Sequence, residues 1–308
     1  MTLWSYTQAE CDVLVQKGEN PMLKGVPLPE ELRRTADLSC VKGCGAVVLA
    51  TPSFAVRATA RAAAPLLSPG AVLVSVSKGI EKDTSLTLTD AISQEVGEGY
   101  PIVALSGPSH AEEVGRKVPT VVVSASKDQK AAELVQDLFM NRRFRVYTSP
   151  DIVGVELGAA LKNIIALCAG CCDGMGFGDN TKAALMTRGL TEIARLGMAM
   201  GGKKETFAGL TGVGDLIVTC TSMHSRNRRC GILIGQGVPV EEALKQIGAV
   251  VEGYYATATG KELAEKLGVE MPITEAAYSV LYEGKDPRDV LVELMTRAKK
   301  HEIEDSWV

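Results

Sequence analysis

Ile102-Val103-Ala104-Leu105-Ser106-Gly107-Pro108-Ser109-His110-Ala111-Glu112-Glu113 reads as an apolar β-strand, a glycine turn and the start of a helix with an acidic first turn. Gly107 permits close approach of the backbone, and the N–H groups at a helix start can face a cofactor or a carbonyl. Further β-rich runs lie on either side, at residues 46–50, 71–75, 120–124 and 144–148, with helical stretches between them. Near-continuous apolar strands alternating with helices imply a mostly parallel sheet buried on both faces. Residues 20–29 are punctuated by Pro and Gly and read as a surface loop.

After Ser149-Pro150 the β-rich runs thin out and a helical pattern of Ala, Leu, Met and Gly takes over. A long helix is expected over residues 154–172, with amphipathic stretches near 181–200, 240–247, 256–267 and 288–299. The chain therefore divides into an α/β domain at residues 1–152 and an all-α domain at residues 153–308, whose charged tail, 301–308, is expected to fray.

Composition narrows the function. The 308 residues suffice for two domains, and a net charge of -4 disfavours nucleic acid and membrane surfaces, which call for a basic face. No apolar run is read as long enough to span a membrane, and the opening Met1-Thr2-Leu3-Trp4-Ser5 has no leader pattern, which points to the cytosol. The eight cysteines show no paired zinc-type spacing, so reduced thiols and no metal are expected. Cys168, Cys171 and Cys172 share a helical stripe with Leu157, Leu161, Ile164 and Ile165 and read as small buried apolar residues.

Four short motifs carry chemistry. Lys78, in Ser77-Lys78-Gly79-Ile80-Glu81, directly follows an apolar strand, where ligands of open α/β sheets gather. Lys162, in Gly158-Ala159-Ala160-Leu161-Lys162-Asn163, falls off its helix's apolar stripe beside small residues that leave room for a substrate. Partial burial would bring its amine toward working pH, as proton transfer requires. Gly209-Leu210-Thr211-Gly212-Val213-Gly214-Asp215 is a weak nucleotide fingerprint, because no strand precedes it; it reads instead as a tight bend that presents Asp215 to Lys162, with helix capping as the rival. Ser225-Arg226-Asn227-Arg228-Arg229 offers a hydroxyl, backbone N–H groups and a guanidinium together, a set suited to a phosphate monoester.

Together these motifs resemble the bacterial-type NAD(P)-dependent glycerol-3-phosphate dehydrogenases, and the likeness extends through Val250-Val251-Glu252-Gly253 and Met271-Pro272-Ile273-Thr274-Glu275. The resemblance implies a Rossmann-type domain followed by a helical one. It implies interconversion of sn-glycerol 3-phosphate and dihydroxyacetone phosphate with NAD or NADP, in supply of glycerophospholipid synthesis. It assigns proton transfer to Lys162 and substrate contact to Lys78, Gly107, Ser109, Asp215, Ser225, Arg226 and Asn227. Lys78, Ala111, Arg226, Val250 and Glu252 would touch the cofactor. His110 receives no role.

Thr2-Leu3-Trp4 matches the family's second strand, so the first strand and its glycine-rich turn have no counterpart and the Rossmann domain is expected to be incomplete. Tyr6 falls where the family keeps a basic residue for the 2′-phosphate of NADP, and Ser5 is no acid for the ribose of NAD; the choice between the two stays open. Two alternatives stand beside the main reading: an impaired homologue that binds a phosphorylated ligand, and a dehydrogenase of another small 2-hydroxy acid. A homodimer is the commonest soluble assembly and is compatible with either.

Overall fold

The computed structural model describes residues 1–302. The expectation for the tail therefore lies largely outside the described residues. In chain order the first half runs β1 (Thr2–Trp4), α1 (Gln8–Lys17), β2 (Arg33–Thr35), β3 (Ala46–Leu49), α2 (Val56–Ala63), β4 (Val72–Ser75), α3 (Leu88–Val96), β5 (Ile102–Ser106), α4 (Ala111–Gly115), β6 (Thr120–Ala125), α5 (Gln129–Phe139) and β7 (Phe144–Ser149). The second runs α6 (Ile152–Gly174), α7 (Asp179–Ala199), α8 (Lys204–Phe207), α9 (Asp215–Thr221), α10 (Arg226–Gly235), α11 (Val240–Ile247), α12 (Glu252–Leu267), α13 (Pro272–Glu283) and α14 (Pro287–Met295).

The strands form two ladders. β1 pairs with β2 in parallel, and the larger sheet has the order β3-β4-β5-β6-β7, parallel except between β5 and β6. The central strands β4, β5 and β6 are buried on both faces, as a parallel sheet requires, whereas the edge strands β3 and β7 are partly exposed. On one face α2 and α3 set Val56, Ala60, Leu88 and Ile92 against Leu49 and Leu73. On the other, α5 sets Ala131 and Val135 against Val74, Val103, Leu105, Val122 and Val146. β3, β4 and β5 share one direction and bring their carboxyl ends to the same side, β6 and β7 run the opposite way, and α6 packs against β5 and against helices of the second half.

α6 corrects the stripe expected of it. This 23-residue helix is buried all round, so it has no polar flank for Lys162 to occupy. By length and composition it would also pass for a membrane span, contrary to the reading of the sequence; its position at the centre of the helical half explains its composition. Gly158 leaves no space for a substrate either: a Cβ there would lie 2.8 Å from the Thr211 carbonyl, so the missing side chain lets the 210–214 turn close onto α6. The same device joins α6 to α10, where a side chain on Gly170 would strike the Arg228 carbonyl and one on Gly231 the Leu167 carbonyl. The three cysteines of α6 are free thiols within this packing, and burial pushes Cys171 up to about 12 and Cys172 up to about 11.

Candidate active site

Lys78, Lys162 and Asp215 come from three distant parts of the chain and meet in one cluster. Lys78 lies just after β4, Lys162 midway along α6, and Asp215 opens α9 immediately after a π-helical turn at Leu210–Gly214. Asp215 Oδ2 is 2.7 Å from Lys78 Nζ and Oδ1 is 2.8 Å from Lys162 Nζ. One carboxylate thus serves two ammonium groups and the cluster carries a net positive charge.

Burial differs across it, with side-chain exposures of 2% for Asp215, 5% for Lys162 and 23% for Lys78. Lys162 is lowered to about 8 by burial and by the Lys78 charge, against the opposing pull of Asp215. Burial alone would raise the Asp215 carboxyl, but the two lysines outweigh it and hold the group below its ordinary value.

Four further hydrogen bonds fix this geometry. Lys78 Nζ also donates to the Gly107 carbonyl at 2.9 Å, which accepts in addition from Ser109 Oγ at 3.0 Å. Gly107 has φ +147° and a Cβ there would sit 3.0 Å from Val122 Cα, so the turn after β5 requires glycine. Lys162 Nζ donates to Thr219 Oγ1, whose hydroxyl donates to the Asp215 carbonyl at 2.6 Å. Thr219 was not among the expected site residues. Its signal was its spacing, one helical turn beyond Asp215 in α9.

A second group lies beside the first. Ser225 caps α10, its Oγ accepting from Arg228 N at 3.2 Å, so the N–H groups of the first helical turn point outward with a hydroxyl next to them. Arg226 is exposed and makes no hydrogen bond or ion pair among the described residues, although its charge acts on Glu252. Asn227 is turned inward: its Nδ2 donates to Asn163 Oδ1 at 2.9 Å and its Oδ1 accepts from Gly253 N at 2.8 Å. One amide hydrogen of Asn227 is left over. Asn163, the neighbour of Lys162, is therefore the link between the two groups, another role that the sequence reading missed.

Glu252 starts α12 and accepts from Ser53 Oγ at 2.8 Å; burial raises its pKa, and the hydrogen bond from Ser53 opposes that. Val250 is half-buried in the loop just before, and Ala111 is exposed at the start of α4.

The strand ends also show where a polar ligand fits. Thr51 Oγ1 after β3, Ser75 Oγ in β4, Ser106 Oγ in β5 and His110 Nε2 are buried without a hydrogen-bond partner. Buried polar atoms of folded proteins are nearly always paired, so a row of four at one edge of the sheet fits a ligand laid across it. With Lys78, Ser53 and Glu252 alongside, this edge suits the nicotinamide end of a dinucleotide. Tyr6, which follows β1 in the separate two-stranded ladder, is exposed, with its ring edge-on to Trp4.

The comparisons with known proteins agree with this geometry. The family model for the N-terminus of NAD-dependent glycerol-3-phosphate dehydrogenase matches residues 1–132 and that for the C-terminus matches residues 151–292. A glycerol-3-phosphate dehydrogenase of the NAD(P)+ type from Desulfitobacterium hafniense (strain Y51) is 55% identical over 298 residues, 96% of this chain and 84% of that protein. One from Moorella thermoacetica (strain ATCC 39073 / JCM 9320) is 56% identical over 307 residues, covering 99% and 91%. The crystal structure of glycerol-3-phosphate dehydrogenase from Coxiella burnetii superposes with a TM-score of 0.92 at 39% identity, over 96% of this chain and 91% of that one. With a doubly covered, mainly parallel sheet feeding a lysine-carboxylate centre in a helical half, this chain belongs to the NAD-dependent glycerol-3-phosphate dehydrogenase family.

Proposed function

We propose that the chain interconverts sn-glycerol 3-phosphate and dihydroxyacetone phosphate with NAD(P)(H), in supply of glycerophospholipid synthesis. The observation that carries the reading is the Asp215 carboxylate shared by Lys78 and Lys162 next to the open N-terminal turn of α10. The dinucleotide, when bound, supplies or accepts the hydride. In the reductive direction Lys162 gives its proton to the carbonyl oxygen as that oxygen becomes an alkoxide. Asp215 and Thr219 aim the ammonium, and Lys78 adds positive charge where the negative charge develops. In the oxidative direction the neutral amine takes the hydroxyl proton.

Arg226, Ser225, the N–H groups of the first turn of α10 and the remaining Asn227 amide hydrogen hold the phosphate. Gly107 and Ser109 close the side of the substrate nearest Lys78. Lys78, Ala111, Arg226, Val250 and Glu252 would hold the cofactor along the strand ends. The division into residues 1–152 and 153–308 belongs to the same reading, with the cleft between them. So does a cytosolic location.

The test is the loss of NADH or NADPH absorbance with dihydroxyacetone phosphate, compared with unphosphorylated dihydroxyacetone. Arg226→Ala should weaken the phosphorylated substrate by about 2 to 4 kcal/mol through loss of a charge-assisted contact, and affect the unphosphorylated one far less. Equal losses on both substrates would remove Arg226 from the phosphate site; no turnover of the phosphorylated ketone by the unaltered protein would overturn the reading.

A further inference from the structure

His110 stands at the edge of this site with no part in the proposed reaction. It precedes α4, yet its side chain makes no capping bond to that helix. Its Nε2 is buried and without a partner. On one side its ring lies 6.0 Å from that of His224, next in sequence to the Ser225 cap. The charges acting on it are Lys162 from α6, Lys78 from the loop after β4, Asp215 from α9 and Glu112 from α4, and the His224 imidazole is itself 4.0 Å from Glu112. His110 thus bridges the lysine pair and the anion-binding turn.

A three-carbon phosphate places its central oxygen at Lys162 and its phosphate at α10, and one terminal hydroxyl remains without an assigned partner. We propose that His110 is a substrate-contacting residue whose Nε2 forms a hydrogen bond with that hydroxyl and so selects substrates that carry it. The inference rests on the proposed reaction for the substrate's orientation. Burial, with Lys162 and Lys78 adding to it, holds the His110 imidazole below its ordinary range despite Glu112 and Asp215. At neutral pH the ring is therefore uncharged, with one N–H and one lone pair, a match for a hydroxyl and a poor one for a dianion.

Acetol phosphate is dihydroxyacetone phosphate without the terminal hydroxyl. A single neutral hydrogen bond corresponds to about a tenfold preference in kcat/KM for the full substrate over acetol phosphate. His110→Phe should abolish that preference by raising KM for dihydroxyacetone phosphate alone, with KM for NADH unchanged, and His110→Gln, which can still offer an amide N–H, should restore part of it. The same preference in the unaltered protein and in His110→Phe overturns the proposal.

A binding readout separates this inference from the reaction it rests on. The chain has three histidines, so their imidazole proton resonances are few, and the one lost in His110→Phe is that of His110. Adding sn-glycerol 3-phosphate should shift it strongly, and propane-1,2-diol 1-phosphate, which lacks the terminal hydroxyl, should shift it much less. Equal shifts, or none, overturn the role of His110. Absence of turnover with a hydroxyl-dependent shift would instead overturn the proposed reaction alone.

Discussion

The seam between α6 and α10 and the free edge of the sheet at β3 are built in opposite ways. At the seam, missing side chains at Gly170 and Gly231 bring the two helix backbones into contact, and Lys162, Asn163, Asp215, Thr219 and Asn227 are joined by hydrogen bonds and ion pairs. At β3, Val48 is 45% exposed on a strand type that normally has both faces covered, and hydroxyls at the neighbouring strand ends have no partner. The difference separates two tasks. Proton transfer needs groups fixed before the substrate arrives, because reorganisation during the reaction raises the barrier. The edge that suits a dinucleotide is polar but unpaired, and its hydrogen bonds are completed by a ligand.

Asp215→Ala would break the better-ordered side most severely. It leaves two ammonium groups facing each other in a buried site, and removing one partner of a buried ion pair costs about 3 to 5 kcal/mol. Denaturant unfolding should show a loss of that size together with loss of turnover, whereas removal of the unpaired hydroxyl in Ser75→Ala should leave stability nearly unchanged. A small loss in Asp215→Ala would mean that the cluster is wetter than its burial indicates.

Buried carboxyls sharpen the same contrast through pH. Glu156, in α6, accepts from the Thr89 N–H at 2.9 Å, and burial pushes it up to about 7 despite that bond. Glu192, in α7, accepts from the N–H groups of Ile273 and Thr274 and is likewise pushed up to about 7 by burial. Between the open-chain value of 4.5 and about 7 the folded protein keeps a proton that the unfolded chain has released, so stability falls as pH rises through that window and levels off above it. Each group contributes up to about 3 kcal/mol of this fall. Unfolding free energies across the window should show the slope halved in Glu156→Gln and nearly absent when Glu192→Gln is added. An unchanged slope in the double variant would mean that both carboxylates are charged in the folded state.

Much of this was readable from single residues. The apolar runs located β3 to β7 to within one or two positions, because β4, β5 and β6, buried on both faces, have little choice of residue, and β3 and β7 keep β-branched and aromatic residues although they are partly exposed. β2, Arg33-Arg34-Thr35, has no such run and was not foreseen; its pairing with β1 alone makes it a strand. For α6 the period was misread because a helix buried all round carries no stripe. Lys78, Lys162 and Asp215 were each singled out by their local motifs and given roles by the family resemblance, but no spacing rule relates Lys78 to Asp215, 137 positions apart, and their ion pair was not foreseen. Thr219 and Asn163 were given no role, because their roles depend on what the folded chain places against them.

The central claim is that the Lys162 amine carries the proton and that its burial against Asp215 sets the working pH. The most direct measurement is the pH dependence of kcat/KM in both directions, for the unaltered protein and for Lys162→Met. The ammonium is needed for reduction, so that rate should fall as pH rises through about 8, while oxidation, which needs the free amine, should rise through the same value. Lys162→Met should lose on the order of a hundredfold or more in kcat in both directions and leave NADH binding nearly intact. Profiles that move in the same sense for both directions, or a methionine variant that keeps the unaltered profile and rate, would contradict it.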